Sequence, residues 1–168
     1  GDGNYSTAVL DKFYLFTEEF KKWAHIVFLD SDIIVRDSLE TFANAKSINS
    51  TRTTKREFRN YFSFNDSKEI EDLKKEHYLN RPAFNSGAIA INTNLIQANT
   101  FNDLLTLFRK YACISNGDDS ILNLYFYKYW NRVPLVYNLR VNYFPPIKFK
   151  AVILHFERPH RFSVDERK

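Results

Sequence analysis

The residues best suited to chemistry are two carboxylates. Asp30 and Asp32 close the run Ala24-His25-Ile26-Val27-Phe28-Leu29, and the apolar pattern resumes in Ile33-Ile34-Val35. A run rich in β-branched and aromatic residues reads as a strand buried on both faces. In an extended chain, side chains at i and i+2 point the same way, so both carboxylates project together from the carboxyl end of that strand. Two anions so close repel and resist desolvation. A divalent cation relieves both costs, and Mg²⁺ or Mn²⁺ is commonly held by one or two carboxylates plus phosphate oxygens. The pair is therefore a candidate metal–diphosphate site. A D-x-D is also frequent in turns, where Asp bonds the local backbone. Open α/β sheets bind ligands at the carboxyl ends of their strands, which favours the metal.

Other polar groups share that kind of position. Asn85-Ser86-Gly87 opens a second apolar run, Phe84 to Asn92. Asp118-Asp119 lies in the turn Asn116 to Ser120, which opens a helical stretch through Trp130. His155 ends the apolar run Ala151-Val152-Ile153-Leu154. A lone histidine at a strand end is usually structural. Beside a D-x-D it becomes a candidate third metal ligand.

The elements that must position these groups follow from periodicity. Val9, Leu10, Phe13 and Tyr14 recur at helical spacing within Thr7 to Phe16. Thr17-Glu18-Glu19-Phe20 reads as a capped turn and Asp37 to Phe42 as a short capped helix. Lys46 to Lys55 reads as a loop by composition. Phe58, Tyr61, Phe62 and Phe64 read as a loop anchored on the core, with an acceptor-binding wall as the functional alternative. Ser67 to Leu79 is a solvated surface helix with a thin apolar face of Ile70, Leu73 and Tyr78. Residues 46–80 thus look like an insertion in a single domain spanning 1–168. Thr93 to Ala112 predicts the longest helix, Pro134 to Asn138 a short strand, and Pro145-Pro146 a break. Strands alternating with helices indicate an α/β fold.

Bulk properties narrow the classes. At 168 residues, 44% hydrophobic and 26% charged, the chain is a globular domain with a genuine core. Aromatic residues make up 17%, which suits a large core or an apolar-walled pocket. A net charge of +4 favours anionic ligands. No basic run interleaved with aromatics suggests a nucleic-acid groove. No stretch is long enough to span a membrane. The lone Cys113 excludes an intrachain disulfide, reads as a small hydrophobe in an apolar helical stretch, and fits a reducing compartment. The chain contains no Met and opens at Gly1, so an upstream part of the same chain is expected.

These motifs together resemble the family 8 retaining glycosyltransferases, which include glycogenin, galactinol synthases and bacterial lipopolysaccharide glycosyltransferases. Val27 to Val35 resembles the family's D-x-D strand, and Phe84-Asn85-Ser86-Gly87 its F-N-S-G. Gly117-Asp118-Asp119-Ser120-Ile121-Leu122-Asn123 is similar to its G-D-Q-G-L-L-N. Val136-Tyr137-Asn138 and Ile153-Leu154-His155-Phe156 resemble its Y-N and I-x-H-F. The motifs fall in family order over about residues 8 to 162, with 46–80 unmatched. The resemblance implies a GT-A fold, a Rossmann-like mixed sheet flanked by helices, lacking the first strands that bind uracil and ribose. It implies hexose transfer from a UDP-sugar to a saccharide or protein-linked acceptor, with retention and with Mn²⁺ or Mg²⁺. Asp30, Asp32 and His155 would hold the metal. Asn85, Ser86 and Gly87 would lie near the donor sugar, and Asp118 would bond donor hydroxyls.

The pattern departs from the family in places. Asp119 replaces the family's Gln, where a carboxylate could act as nucleophile or repel the diphosphate. Asp118 and Asp119 are accordingly the catalytic candidates. Lys12 stands where an Arg often precedes the D-x-D strand. The segment after His155 lacks the family's Gly and Lys, so Arg158 or Arg161 would stand in as the phosphate contact. A non-catalytic GT-A-like binding or scaffold module and a metal-dependent phosphohydrolase using Asp30 and Asp32 remain as alternatives. The expected location is cytoplasmic, at the inner membrane surface. Sequons at Asn4, Asn49 and Asn65 keep a secretory lumen open, although chance explains so short a motif.

Overall fold

The computed structural model describes residues 8–53, 57–62, 67–111, 117–141 and 150–156. The expected helix over 7–16 is only a single α turn, α1 (Ala8–Asp11), continued by a 3-10 turn, Lys12–Phe16. The tighter winding brings residues three apart into line, and here it buries Phe13 and Phe16 together. A second 3-10 turn, Glu18–Lys22, leads into β1 (His25–Leu29). Thr17 makes no side-chain N-cap bond to it. Its Oγ1 instead donates to the carbonyl of Tyr14 at 2.9 Å.

After the D-x-D come β2 (Ile33–Val35), α2 (Glu40–Ala43) and β3 (Ile48–Arg52). The 3-10 turn Phe58–Tyr61 and α3 (Ser67–Glu76) follow, then β4 (Phe84–Asn92) and α4 (Thr100–Lys110). The chain continues through α5 (Gly117–Phe126), β5 (Trp130–Arg132), β6 (Leu139–Arg140) and β7 (Ile153–His155).

The strands form two sheets, one of order β1-β4-β3-β5 and one of order β2-β7-β6. In the first, β4 is antiparallel to β1 and β3, while β3 and β5 are parallel. In the second, β2 and β7 are antiparallel and β6 and β7 parallel. Both sheets are mixed. Residues of β4 alternate between faces, as extended chains do. Ile89 and Ile91 enter a large core with Phe13, Phe16, Phe84 and Phe126. Ala88 and Ala90 enter a smaller one with Phe42 and Ile153.

Several expectations from sequence are corrected. The loop expected over 46–55 contains β3, an inner strand whose polar side chains are buried and satisfied within the protein. Asn49 Nδ2 donates to the Phe42 carbonyl at 2.8 Å, and Ser50 Oγ donates to the Asn85 carbonyl at 2.6 Å. The strand expected to be buried on both faces, β1, does meet a core on each, Phe28 the larger and Val27 and Leu29 the smaller, but its residues stay only partly buried, and among the described residues it pairs only with β4. The long helix over 93–112 is a 3-10 turn, Thr93–Leu95, separated from α4. Side-chain bonds hold the break: Asn92 Oδ1 accepts from Asn94 N at 3.0 Å, and Thr100 Oγ1 from Gln97 N at 2.8 Å. The helix expected through Trp130 ends at Phe126, and Trp130 starts β5. The strand expected over 134–138 is a 3-10 turn, Leu135–Tyr137, started by Pro134 at φ −57°. Phe58, Tyr61 and Phe62 are buried, as an anchored loop requires. Phe64, Cys113, Pro145 and Pro146 lie outside the described residues.

Candidate active site

The strand pairing assembles the site. Because β1 and β4 are antiparallel, the carboxyl end of β1 meets the amino end of β4, and Asp30 N donates to the Gly87 carbonyl at 2.8 Å. Beyond Asp32, Ile33 of β2 pairs with His155 of β7. That register sets the imidazole beside Asp32, with Nε2 3.3 Å from Asp32 Oδ1. Ligand atoms of Asp30, Asp32 and His155 all lie within 4.8 Å of one another. Both carboxylates are 34% exposed and His155 is 4% exposed, so the cluster faces outward from a buried imidazole.

Gly87 keeps this cradle open. A β-carbon there would lie 2.5 Å from His155 Cε1 and 2.7 Å from Asp30 Oδ2. Both distances are far inside van der Waals contact, so the F-N-S-G glycine is required by space. The donor set of two carboxylates and an imidazole fits a divalent cation such as Mn²⁺.

Across Ser86 lies a second pair of carboxylates. Asp118 and Asp119 sit in the first turn of α5, which Gly117 enters at φ 51°, a left-handed value that favours glycine. Asn123 fixes α5 against β4: its Oδ1 accepts from Phe84 N at 2.9 Å and its Nδ2 donates to the Phe84 carbonyl at 2.8 Å. That clasp brings Asp119 Oδ1 to Ser86 N, and Ser86 Oγ donates to Asp118 Oδ2 at 2.6 Å.

Lys12 joins the two carboxylate pairs. Its Nζ is 2.6 Å from Asp118 Oδ2 and 3.2 Å from Asp30 Oδ1. It also donates to the Ser86 carbonyl and Oγ, and lies 4.7 Å from the Phe28 ring centroid. Burial opposes the ammonium charge, but the charges of Asp118 and Asp30 outweigh it and hold the lysine above its ordinary pKa. Burial, then the charge of Asp118, pushes Asp119 up to about 6, against the bonds it accepts from Ser86.

Of the residues singled out in the sequence, the fold brings together Lys12, Asp30, Asp32, Asn85, Ser86, Gly87, Asp118, Asp119 and His155. Arg158 and Arg161 lie outside the described residues. Sequence reasoning assigned no role to Asn123 or Asn138, although both fall in quoted motifs. A buried Asn closing a helical motif was the available signal for the first. Asn138 Oδ1 lies 2.9 Å from His155 Nδ1, and nothing local to its own stretch announces that.

Comparison with known proteins agrees with this arrangement. Solved glycosyltransferases share the fold at low identity. The bifunctional glycosyltransferase WbbM superposes with TM-score 0.71 at 17% identity, over 95% of this chain and 33% of that one. GlyE of Streptococcus pneumoniae TIGR4 gives 0.65 at 20%, over 93% and 39%. The galactosyltransferase LgtC, solved with donor and acceptor sugar analogues, gives 0.65 at 15%, over 94% and 60%. The fold is GT-A, and the chain spans between a third and three-fifths of the length of these proteins. The profile of glycosyl transferase family 8 matches residues 2–160, so the chain belongs to that family. No curated protein matches the sequence.

Proposed function

We propose that the protein transfers a hexose from a UDP-sugar to a saccharide or protein-linked acceptor, with retention of configuration and with Mn²⁺ or Mg²⁺. The observation that carries this reading is the convergence of Asp30, Asp32 and His155 beside a glycine that leaves room for a cation. Those three residues would hold the metal. The metal would supply Lewis-acid neutralisation of the diphosphate as the sugar–phosphate bond breaks.

The chain's own residues supply the rest. Lys12 offsets the charge of Asp30 and Asp118 in a partly desolvated site. Asp118, at the rim and 19% exposed, can accept hydrogen bonds from donor hydroxyls. Asp119 is drawn back onto Ser86 N and Asn85 Nδ2, which supports a positioning role over a nucleophile's. Arg158 or Arg161 would provide the phosphate contact.

Other parts of the proposal concern context. No helix among the described residues is long and apolar enough to cross a membrane. Asn49 is buried with its amide bonded to Phe42 and Asn131, so that sequon is closed to glycan in the folded chain. The closed sequon at Asn49 supports a cytoplasmic location over a secretory lumen.

The test is a mass-spectrometric screen of UDP-sugars with and without Mn²⁺. Metal-dependent hexose transfer or UDP release is the expected result. Release of inorganic phosphate irrespective of the nucleotide, or no turnover of any UDP-sugar, would overturn the reading.

A further inference from the structure

We propose that Asn138 is the positioning residue that fixes a proton on His155 Nδ1 and so presents Nε2 as the ligand atom. The geometry is a chain of side-chain amides from His155 to Asp119. His155 Nδ1 is 2.9 Å from Asn138 Oδ1, and Asn138 Nδ2 donates to Asn85 Oδ1 at 2.7 Å. Asn85 Oδ1 also accepts from Gly87 N at 3.2 Å, and Asn85 Nδ2 donates to Asp119 Oδ2 at 3.4 Å.

The polarity of this chain is fixed at both ends. A backbone N–H can only donate, so Gly87 N makes Asn85 present its oxygen. An ionised carboxylate can only accept, so Asp119 selects the same orientation of Asn85. Asn138 must then turn its NH₂ toward Asn85 and its oxygen toward His155. An oxygen facing Nδ1 requires a proton there. In neutral imidazole the lone pair then falls on Nε2, the atom 3.3 Å from Asp32 Oδ1. In imidazolium the proton displaced by a cation is the one on Nε2. Either way the face toward Asp30 and Asp32 can accept a metal.

All three side chains of the relay, Asn85, Asn138 and His155, are buried, so solvent does not compete for these bonds. Strand pairing holds them in place: β6 runs parallel to β7 with Arg140 opposite His155, which seats Asn138 beside the ring. A metal-bound histidine commonly donates its second N–H to such a partner, and losing it typically costs 10–100-fold in metal affinity. The assignment of Nε2 as a ligand rests on the metal reading of the proposed function. The Nδ1 proton does not.

The test uses ¹⁵N-histidine labelling of the metal-free protein at about pH 8.5, where an ordinary imidazole is neutral, with Mn²⁺ affinity measured separately by calorimetry. The native protein is expected to show His155 protonated at Nδ1. Asn138→Ala should lose that tautomer and bind Mn²⁺ about 10–100-fold more weakly. Asn138→Asp still offers an acceptor to Nδ1, so it should keep the tautomer. Its carboxylate cannot donate to Asn85, so folding of both variants is checked separately by near-ultraviolet circular dichroism. A native His155 protonated at Nε2 alone, an unchanged tautomer in Asn138→Ala, or its loss in Asn138→Asp would overturn the proposal. If the tautomers behave as expected but native protein binds no Mn²⁺, the relay stands and the metal reading fails.

Discussion

Two pairs of carboxylates face each other across Ser86 and Gly87, and the protein treats them differently. Asp118 and Asp119 are answered from within, by Lys12, by the Ser86 hydroxyl and N–H, and by Asn85. Asp30 and Asp32 are more exposed, share Lys12 and an imidazole, and leave their remaining lone pairs toward the open side. A carboxylate pair answered by the chain is fixed in position, even where, as at Asp118, it also faces the donor. A pair left open, with the nearby β-carbon deleted at Gly87, is prepared for something that arrives.

Removing Asp118 from the satisfied pair should cost most. Asp118→Ala strands a buried ammonium with Asp30 and Ser86 alone. Breaking a buried pair typically costs about 3–5 kcal/mol, and the remaining partners put this one at about 3 kcal/mol. Urea unfolding of the metal-free variant measures it. A loss below half a kcal/mol would show that Lys12 does not depend on Asp118.

Asp119 gives the comparison a pH signature. Its folded pKa is raised from the ordinary carboxylate value to about 6, so the folded state binds more protons than the unfolded one between the two values. The resulting destabilisation is absent below the unfolded pKa, grows as pH rises, and is complete above about 6. Asp119→Asn removes this dependence. Relative to wild type, the variant should gain about 2 kcal/mol between pH 4 and pH 7, after allowance for partial solvent screening. The sign of that slope is the check, because the amide also disturbs the bond to Asn85. A gain of the variant over wild type on acidification would contradict the burial of Asp119.

Gly87→Ala should act on the open pair. The added carbon must displace His155 or Asp30. Overpacking of this kind costs about 1–3 kcal/mol. Metal affinity should fall more than stability does, because the displaced atoms are the proposed ligands. Equal Mn²⁺ binding by Gly87→Ala would mean the cradle lies elsewhere.

The same contrast explains what was legible in the sequence. Asp30 and Asp32 could be read because they interrupt an apolar run, and β4 because Ala88 to Ile91 alternate Ala and Ile between its two buried faces. The central strand β3 could not, since Ile48-Asn49-Ser50-Thr51-Arg52 carries the composition of a loop. Its polar groups are satisfied by Phe42, Asn85 and Asn131, partners that only tertiary structure supplies. At the site, residue types in motifs were readable and their connections were not. Lys12 lies far upstream of Asp30, and Asn138 meets His155 through the pairing of β6 and β7.

The smallest expected effect on stability is at Asp32. Asp32→Ala removes one of two repelling carboxylates from an open site, so the metal-free protein should be as stable as wild type or slightly more so. Thermal unfolding without metal checks this, and a collapsed fold would give Asp32 the structural role assigned to Asp118.

The most direct test is calorimetric titration of Mn²⁺ into wild type and Asp32→Ala side by side. The arrangement of Asp30, Asp32 and His155 predicts one site in the wild type, weakened at least about 100-fold in the variant at unchanged stability. Equal binding by the two proteins, or no binding by a folded wild type, would contradict the metal centre.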